Sequence, residues 1–224
     1  MPGSHSQQIN EIAEILIRLQ PLRLLDVGVG FGKYGVLARE YLDLWVGAGK
    51  SPDEYRQWQR QVDGIEAYAG YLTPLHSFIY NQIYLGDARE VAPKLTTHYD
   101  LTLLIDMIEH LPLADGLKLL QELRRHSRNL LISTPKIAGV QGPLYGNNFE
   151  RHISEWRPAD FQSFADKVFI PNQASLICFI GEDVEVIRRL VAKKRAAEIR
   201  AAFRTLLPFL VRPYRRLKAL VQRK

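Results

Sequence analysis

PLRLLDVGVGFGKYGVLAREYLDLW, residues Pro21 to Trp45, reads as strand, glycine turn and helix in one span. Leu22, Leu24, Leu25 and Val27 make a short apolar run after Pro21, the pattern of a strand buried in a parallel sheet. Asp26, Gly28, Gly30 and Gly32 follow at alternate positions. Val36, Leu37, Tyr41 and Leu44 then recur at helical spacing. Residues without a Cβ let the backbone turn tightly and let a ligand approach it closely.

Two registers fit the glycines. A dinucleotide loop of the form G-x-G-x-x-G takes Gly30, Gly32 and Gly35, and leaves Asp26 and Gly28 unused. The pattern Asp26-x-Gly28-x-Gly30-x-Gly32 uses all four residues. It resembles the first motif of the class I S-adenosylmethionine-dependent methyltransferases. The resemblance implies S-adenosyl-L-methionine as cofactor, with Asp26, Gly28, Gly30 and Gly32 around its methionine portion. That cofactor carries an ammonium and a sulfonium and no pyrophosphate. A carboxylate beside the loop is useful there, whereas under a pyrophosphate it would repel. A turn that only packs a helix onto a sheet is the plainer alternative.

Downstream, Val62 to Glu66 forms a second strand ending in an acid. In nucleotide-binding α/β sheets an acid at this place takes the ribose hydroxyls. Glu66 comes 34 residues after Gly32, late for that role, and the Gly/Ser/Pro-containing stretch 46–60 accounts for the delay as an insertion with a short helix. Trp45 and Trp58 pack that insertion or wall a pocket. Residues 69–79 read as a helix and 81–85 as a third strand. The resemblance places Asp87 at the adenine amino group and the Ala88 backbone at the ring; Asp87 is equally suited to cap the short helix 88–95. Residues 99–106 read as the clearest buried strand, and Asp106-Met107-Ile108-Glu109-His110 resembles the fourth motif of the family's branch that acts on small molecules. Ligands in open α/β sheets sit at the carboxyl ends of strands, so Asp106, Glu109 and His110 are expected near the transferring methyl. His110 is a candidate general base, or else packs against the helix 113–126, whose stripe is Leu117, Leu120 and Leu123.

A fifth strand spans 129–135. The stretch 136–157 reads as a long loop over the site, with Asn147, Glu150 and Trp156 as candidate acceptor contacts and His152 as a second candidate base or a substrate ligand. A His-Glu pair in that loop has no third ligand implied, so no metal is expected. A helix is expected from Pro158 to Ala165, and 167–170 with 175–180 read as a hairpin. At the other end, residues 6–19 form an amphipathic helix capped by Ser6, with Ile9, Ile12, Leu16 and Leu19 on one face. The expected architecture is α/β: a Rossmann-like, doubly wound sheet of seven strands, mostly parallel, ending in an antiparallel hairpin.

Charge divides the chain of 224 residues at about 181. Residues 182–224 hold thirteen Lys and Arg against four acids, so the chain's +6 leaves residues 1–181 at −3. Two regions are therefore expected: a methyltransferase domain over 1–181 and a basic amphipathic extension over 182–224. FRTLLPFLVRPYRRLKALV, residues 203–221, is apolar on one side and basic on the other, suited to an anionic membrane surface. Edge packing or an oligomer contact are the other readings. The single cysteine, Cys178, forbids an internal disulfide and fits a buried place in a cytoplasmic protein. Neither a signal peptide nor a membrane-spanning run is read in the sequence. The chain lacks the proline-aromatic motif of adenine-amino enzymes after strand four and the cysteine of cytosine-C5 enzymes, so nucleic acid is not the expected acceptor. The expected acceptor is a small molecule, a lipid-linked compound or a saccharide. A non-catalytic protein that keeps the fold, and a nicotinamide-dependent oxidoreductase, are the competing readings.

Overall fold

Seven apolar runs pair into one sheet, and their order sets where a ligand can sit. The computed structural model describes residues 4–45, 51, 57–137 and 139–206. The strands are β1 (Arg23–Val27), β2 (Gln61–Glu66), β3 (Gln82–Leu85), β4 (Leu101–Ile105), β5 (Asn129–Pro135), β6 (Lys167–Ile170) and β7 (Ser175–Gly181). They lie in the order β3-β2-β1-β4-β5-β7-β6. All pairings are parallel except those of β7, which runs antiparallel to both β5 and β6. The seven-stranded sheet and its terminal hairpin match the expectation strand for strand.

Successive side chains of a strand point to opposite faces, so a sheet covered on both faces needs uninterrupted apolar runs. Leu25, Val27, Leu104, Leu130 and Ile132 face a core completed by Leu119, Leu120 and Leu123 of α5 (Leu113–His126). Their neighbours Leu24, Leu103 and Leu131 are equally buried. Helix α1 (Ile9–Leu19) packs against α2 (Lys33–Ala38), and α4 (Ala88–Val91) packs against α5. Cys178 lies in the core on β7, and burial pushes its thiol up to about 12.

Several local expectations shift. Ser6 does not cap α1: Ser6–Gln8 forms a 3-10 turn ahead of it, and the helix buries Ile12, Ala13, Ile15 and Leu16. After α2 the chain widens into a π turn over Arg39–Leu44. There the fully buried Arg39 pairs with Asp43 at 2.8 Å and donates to the carbonyl of Ile79 and to Asn81 Oδ1. The buried stripe is thus Tyr34, Ala38, Arg39, Leu42 and Asp43, with Val36, Leu37, Tyr41 and Leu44 only half-buried. Residues 69–79 divide into a 3-10 turn (Ala69–Tyr71) and α3 (Pro74–Ile79). The helix expected at Pro158 is a single 3-10 turn, Pro158–Phe161. Trp45 is exposed, and Trp58 donates to the carbonyl of Phe78; most of the insertion between them falls outside the described residues.

Two compact units divide the chain at Val184 and Glu185. Helix α6 (Val184–Leu206) starts at that boundary; of the amphipathic segment 203–221, residues 207–221 lie outside the described residues. Among the described residues, no helix is long and apolar enough to cross a membrane.

Candidate active site

Strand order reverses between β1 and β4, and the crevice outside their carboxyl ends is where open α/β sheets bind ligands. A cleft of about 860 Å³, counting the open space at its mouth, lies there.

The glycine loop forms one wall. Gly28, Gly30 and Gly32 all have positive φ, at 83°, 54° and 79°. A Cβ on Gly28 would come within 2.9 Å of Met107 Cγ, so a side chain there would be strained and would collide with the β4 turn. Gly28 and Gly30 line the cleft, while Gly32 sits behind it as the first residue ahead of α2. Buried His76 places Nε2 2.9 Å from the Gly30 carbonyl and braces the loop from below.

Glu66 lies at the end of β2, facing the cleft. Its Oε2 accepts from Gly30 N at 2.9 Å and its Oε1 from Tyr68 N at 2.8 Å. Both oxygens are therefore aimed, and each keeps a lone pair for a further donor. Burial raises its pKa against the lowering effect of those two amides.

Asp26 has a different place. It is buried under the loop, accepts from Tyr80 Oη at 2.6 Å, and does not line the cleft. Burial pushes its carboxyl up to about 7 despite that hydrogen bond, and the charge of Glu66 adds to the effect. Asp87 lines the cleft and also caps α4, accepting from Arg89 N at 2.9 Å. The Arg89 guanidinium grips both of its oxygens and holds its pKa below the ordinary value. Ala88 lies beside it in the lining.

Asp106 ends β4 with a left-handed φ of 50°, rare for a residue with a side chain. Its Oδ2 accepts from Gln8 Nε2 at 2.7 Å, and its Oδ1 is buried without a partner. Gln8 in turn accepts from the Ser133 hydroxyl on β5. Lys33 Nζ donates to the Ser4 carbonyl at 2.6 Å, and the Ser4 hydroxyl bonds Tyr34 Oη. The N-terminal segment thus closes over this end of the cleft. Ser4, Gln8, Lys33 and Tyr34 gave no sequence signal, because their roles depend on contacts between distant segments.

The long loop makes the far wall. Tyr71 donates to Glu150 Oε1 at 2.8 Å and accepts from Asn147 Nδ2 at 3.2 Å, and all three line the cleft. Trp156, expected at the acceptor, is instead buried: its ring lies on Phe161, and its Nε1 donates to the Ile108 carbonyl at 3.2 Å. It anchors the loop and does not line the cleft. Amides of Ile153 and Ser154 donate to the Glu109 carbonyl at 2.8 and 3.1 Å, which brings His152 over the β4 turn. His110 and His152 lie with ring centroids 5.2 Å apart, and His110 lines the cleft. Glu109, expected at the acceptor, is 1 % exposed, and burial with the nearby Asp106 charge pushes it up to about 8.

This architecture can be compared with known proteins. No family model matches the sequence, and no curated protein does. Solved structures do match. The N-terminal domain of EvdMO1, determined in the presence of S-adenosylhomocysteine and D-fucose, superposes with a TM-score of 0.54 at 13% identity, covering 80% of this chain and 84% of that one. A Nostoc punctiforme protein assigned as an O-methyltransferase gives 0.54 at 15% identity, over 79% of this chain and 57% of that one. The methyltransferase domain of bacterial CtHen1 gives 0.50 at 16% identity, over 80% and 100%. The fold is that of the class I methyltransferases. Within the methyltransferase fold the cleft occupies the switch point, and Glu66, Asp106 and the glycine loop meet in it.

Proposed function

We propose that this chain is an S-adenosylmethionine-dependent methyltransferase acting on a small-molecule, lipid-linked or saccharide acceptor. One observation carries the reading. The switch-point cleft presents Glu66 with both oxygens aimed by backbone amides and Asp106 with a buried, unpartnered oxygen. Such carboxylates suit a ligand bearing hydroxyls and cations. Glu66, Asp106 and Glu150 line the cleft against Lys33, a balance hostile to a pyrophosphate and so to a nicotinamide dinucleotide. The orphaned Asp106 oxygen and the Gly28 cradle, which a Cβ would fill, fit the proposed cofactor.

Glu66 would hold the ribose hydroxyls, Asp106 the ammonium, and Asp87 with Ala88 the adenine end. Gly28 and Gly30 keep the loop backbone open to it. Asp26 and Gly32 act from behind, holding the loop rather than touching the ligand. When bound, the cofactor supplies a methyl on a positively charged sulfur, which an acceptor nucleophile displaces directly. The chain's contribution is orientation and exclusion of water. Ser4 and Gln8 cover the Asp106 end, Tyr71 ties the long loop down through Asn147 and Glu150, and His110 with His152 stands where an acceptor proton must be managed. The basic extension 182–224 is proposed as a separate region that brings the enzyme to an anionic membrane surface on the cytoplasmic side.

Calorimetric titration with S-adenosylhomocysteine, with NAD in a parallel cell, tests this reading. Binding of the first alone is the expected result. Binding of NAD, or of neither by folded protein, overturns it.

A further inference from the structure

The β4 exit turn and the long loop bring Glu109, His110 and His152 together, with one ligand atom from each lying within 4.8 Å of the others. His110 Nδ1 lies 3.0 Å from the Arg151 carbonyl and His152 Nδ1 2.9 Å from the Gly139 carbonyl. A carbonyl only accepts, so each Nδ1 carries the proton and each Nε2 presents a lone pair. Imidazoles that coordinate metals are oriented in this way, by a hydrogen bond from the other ring nitrogen.

Glu109 is the second, independent observation. It is 1 % exposed, and neither of its carboxylate oxygens has a hydrogen-bond partner. The Thr134 hydroxyl is likewise buried without a hydrogen-bond partner. A buried carboxyl without partners costs free energy unless something takes it. The loop that carries His152 is stitched to the same residue, since Ile153 N and Ser154 N both donate to the Glu109 carbonyl. The three ligands are thus held by backbone rather than left to side-chain freedom.

We propose that Glu109, His110 and His152 form a divalent transition-metal site. Two imidazoles and one carboxylate suit Mn²⁺, Fe²⁺, Co²⁺ or Zn²⁺ better than Mg²⁺ or Ca²⁺, which prefer oxygen. Three protein ligands leave coordination positions open. His110 lines the cleft, so the open side adjoins the space where an acceptor would lie. The ion's role there, which rests on the methyltransferase reading, is to hold an acceptor oxygen and make its hydroxyl more acidic. The acceptor class is then an oxygen compound, and the histidines act as ligands instead of bases.

The test is calorimetric titration of chelator-treated full-length protein with MnCl₂ and, separately, ZnCl₂, on wild type, Glu109→Gln and His152→Ala. The expected result is one equivalent bound by wild type and at least a tenfold loss of affinity in both variants. His152 is only half-buried, so its variant keeps the fold even if Glu109→Gln is destabilised. No binding by wild type, or binding that neither variant weakens, overturns the site. S-adenosylhomocysteine titrated into the same samples separates the two readings. Metal binding without it removes the methyltransferase proposal and leaves the site standing. The reverse removes the site alone.

Discussion

Glu66 and Asp26 are both acids at strand ends, yet their surroundings give them opposite tasks. Glu66 keeps lone pairs directed into the cleft, so Glu66→Ala removes charge-assisted hydrogen bonds to a ligand, each worth about 1.5–3 kcal/mol. S-adenosylhomocysteine affinity is expected to fall at least tenfold by calorimetry; unchanged affinity would take Glu66 out of the ribose role. Asp26 is sealed under the loop against Tyr80. Its pKa rises from 3.8 to about 7 on folding, so the folded state binds the proton more tightly than the unfolded chain. Stability from this group is full below pH 4, declines as pH rises between about 4 and 7, and levels off above. Asp26→Asn abolishes the ionisation, and Tyr80 can still donate to the amide oxygen. The variant should gain on wild type by on the order of 2–4 kcal/mol between pH 4.5 and pH 8 in ligand-free urea denaturation. Parallel curves for the two proteins would show that Asp26 does not titrate in this range.

Helix α5 and the long loop meet at Gly116 and Trp156. A Cβ on Gly116 would lie 2.4 Å from Trp156 Cζ2, and the indole is held in place by bonds to the Ile108 carbonyl and the Ser154 hydroxyl. Helix propensity favours alanine over glycine by about 1 kcal/mol. Overpacking costs about 1–3 kcal/mol, and a tethered ring leaves little room to relax, so packing wins. Gly116→Ala should lower the urea midpoint. A midpoint raised above wild type would mean that Trp156 shifts freely. The described residues of loop 136–157 contain only a 3-10 turn at Asn148–Glu150 and an isolated bridge, and are instead fastened by Trp156, Tyr71 and the Glu109 carbonyl. Asn147, Phe149 and Glu150 of this loop line the cleft.

The charge of the whole molecule is unevenly shared, with a −3 region and a +9 extension in one chain. An anionic bilayer attracts basic side chains by about 1 kcal/mol each near its surface. Deleting residues 203–224 should abolish co-sedimentation with phosphatidylserine vesicles and leave S-adenosylhomocysteine binding intact. Failure of the intact chain to bind such vesicles at low salt would end the membrane proposal.

All seven strands and the glycine loop were legible in the sequence, because apolar runs and positive-φ glycines are imposed locally by burial on two faces and by backbone sterics. Glu66 and Asp106 were legible as strand-end acids, since parallel strands bring their carboxyl ends to one edge. Tertiary structure decided what chain order does not encode. It put Trp156 in the core and Asp26 behind the loop, because a side chain's direction depends on its packing partners. It brought Ser4 onto the cleft and Gln8 against Asp106 from the far end of the chain. It also set His152 against Glu109 and His110, a meeting across more than forty residues made by backbone hydrogen bonds to the Glu109 carbonyl. Local sequence supplies propensity and period; a site built from three segments exists only once long-range contacts have closed it.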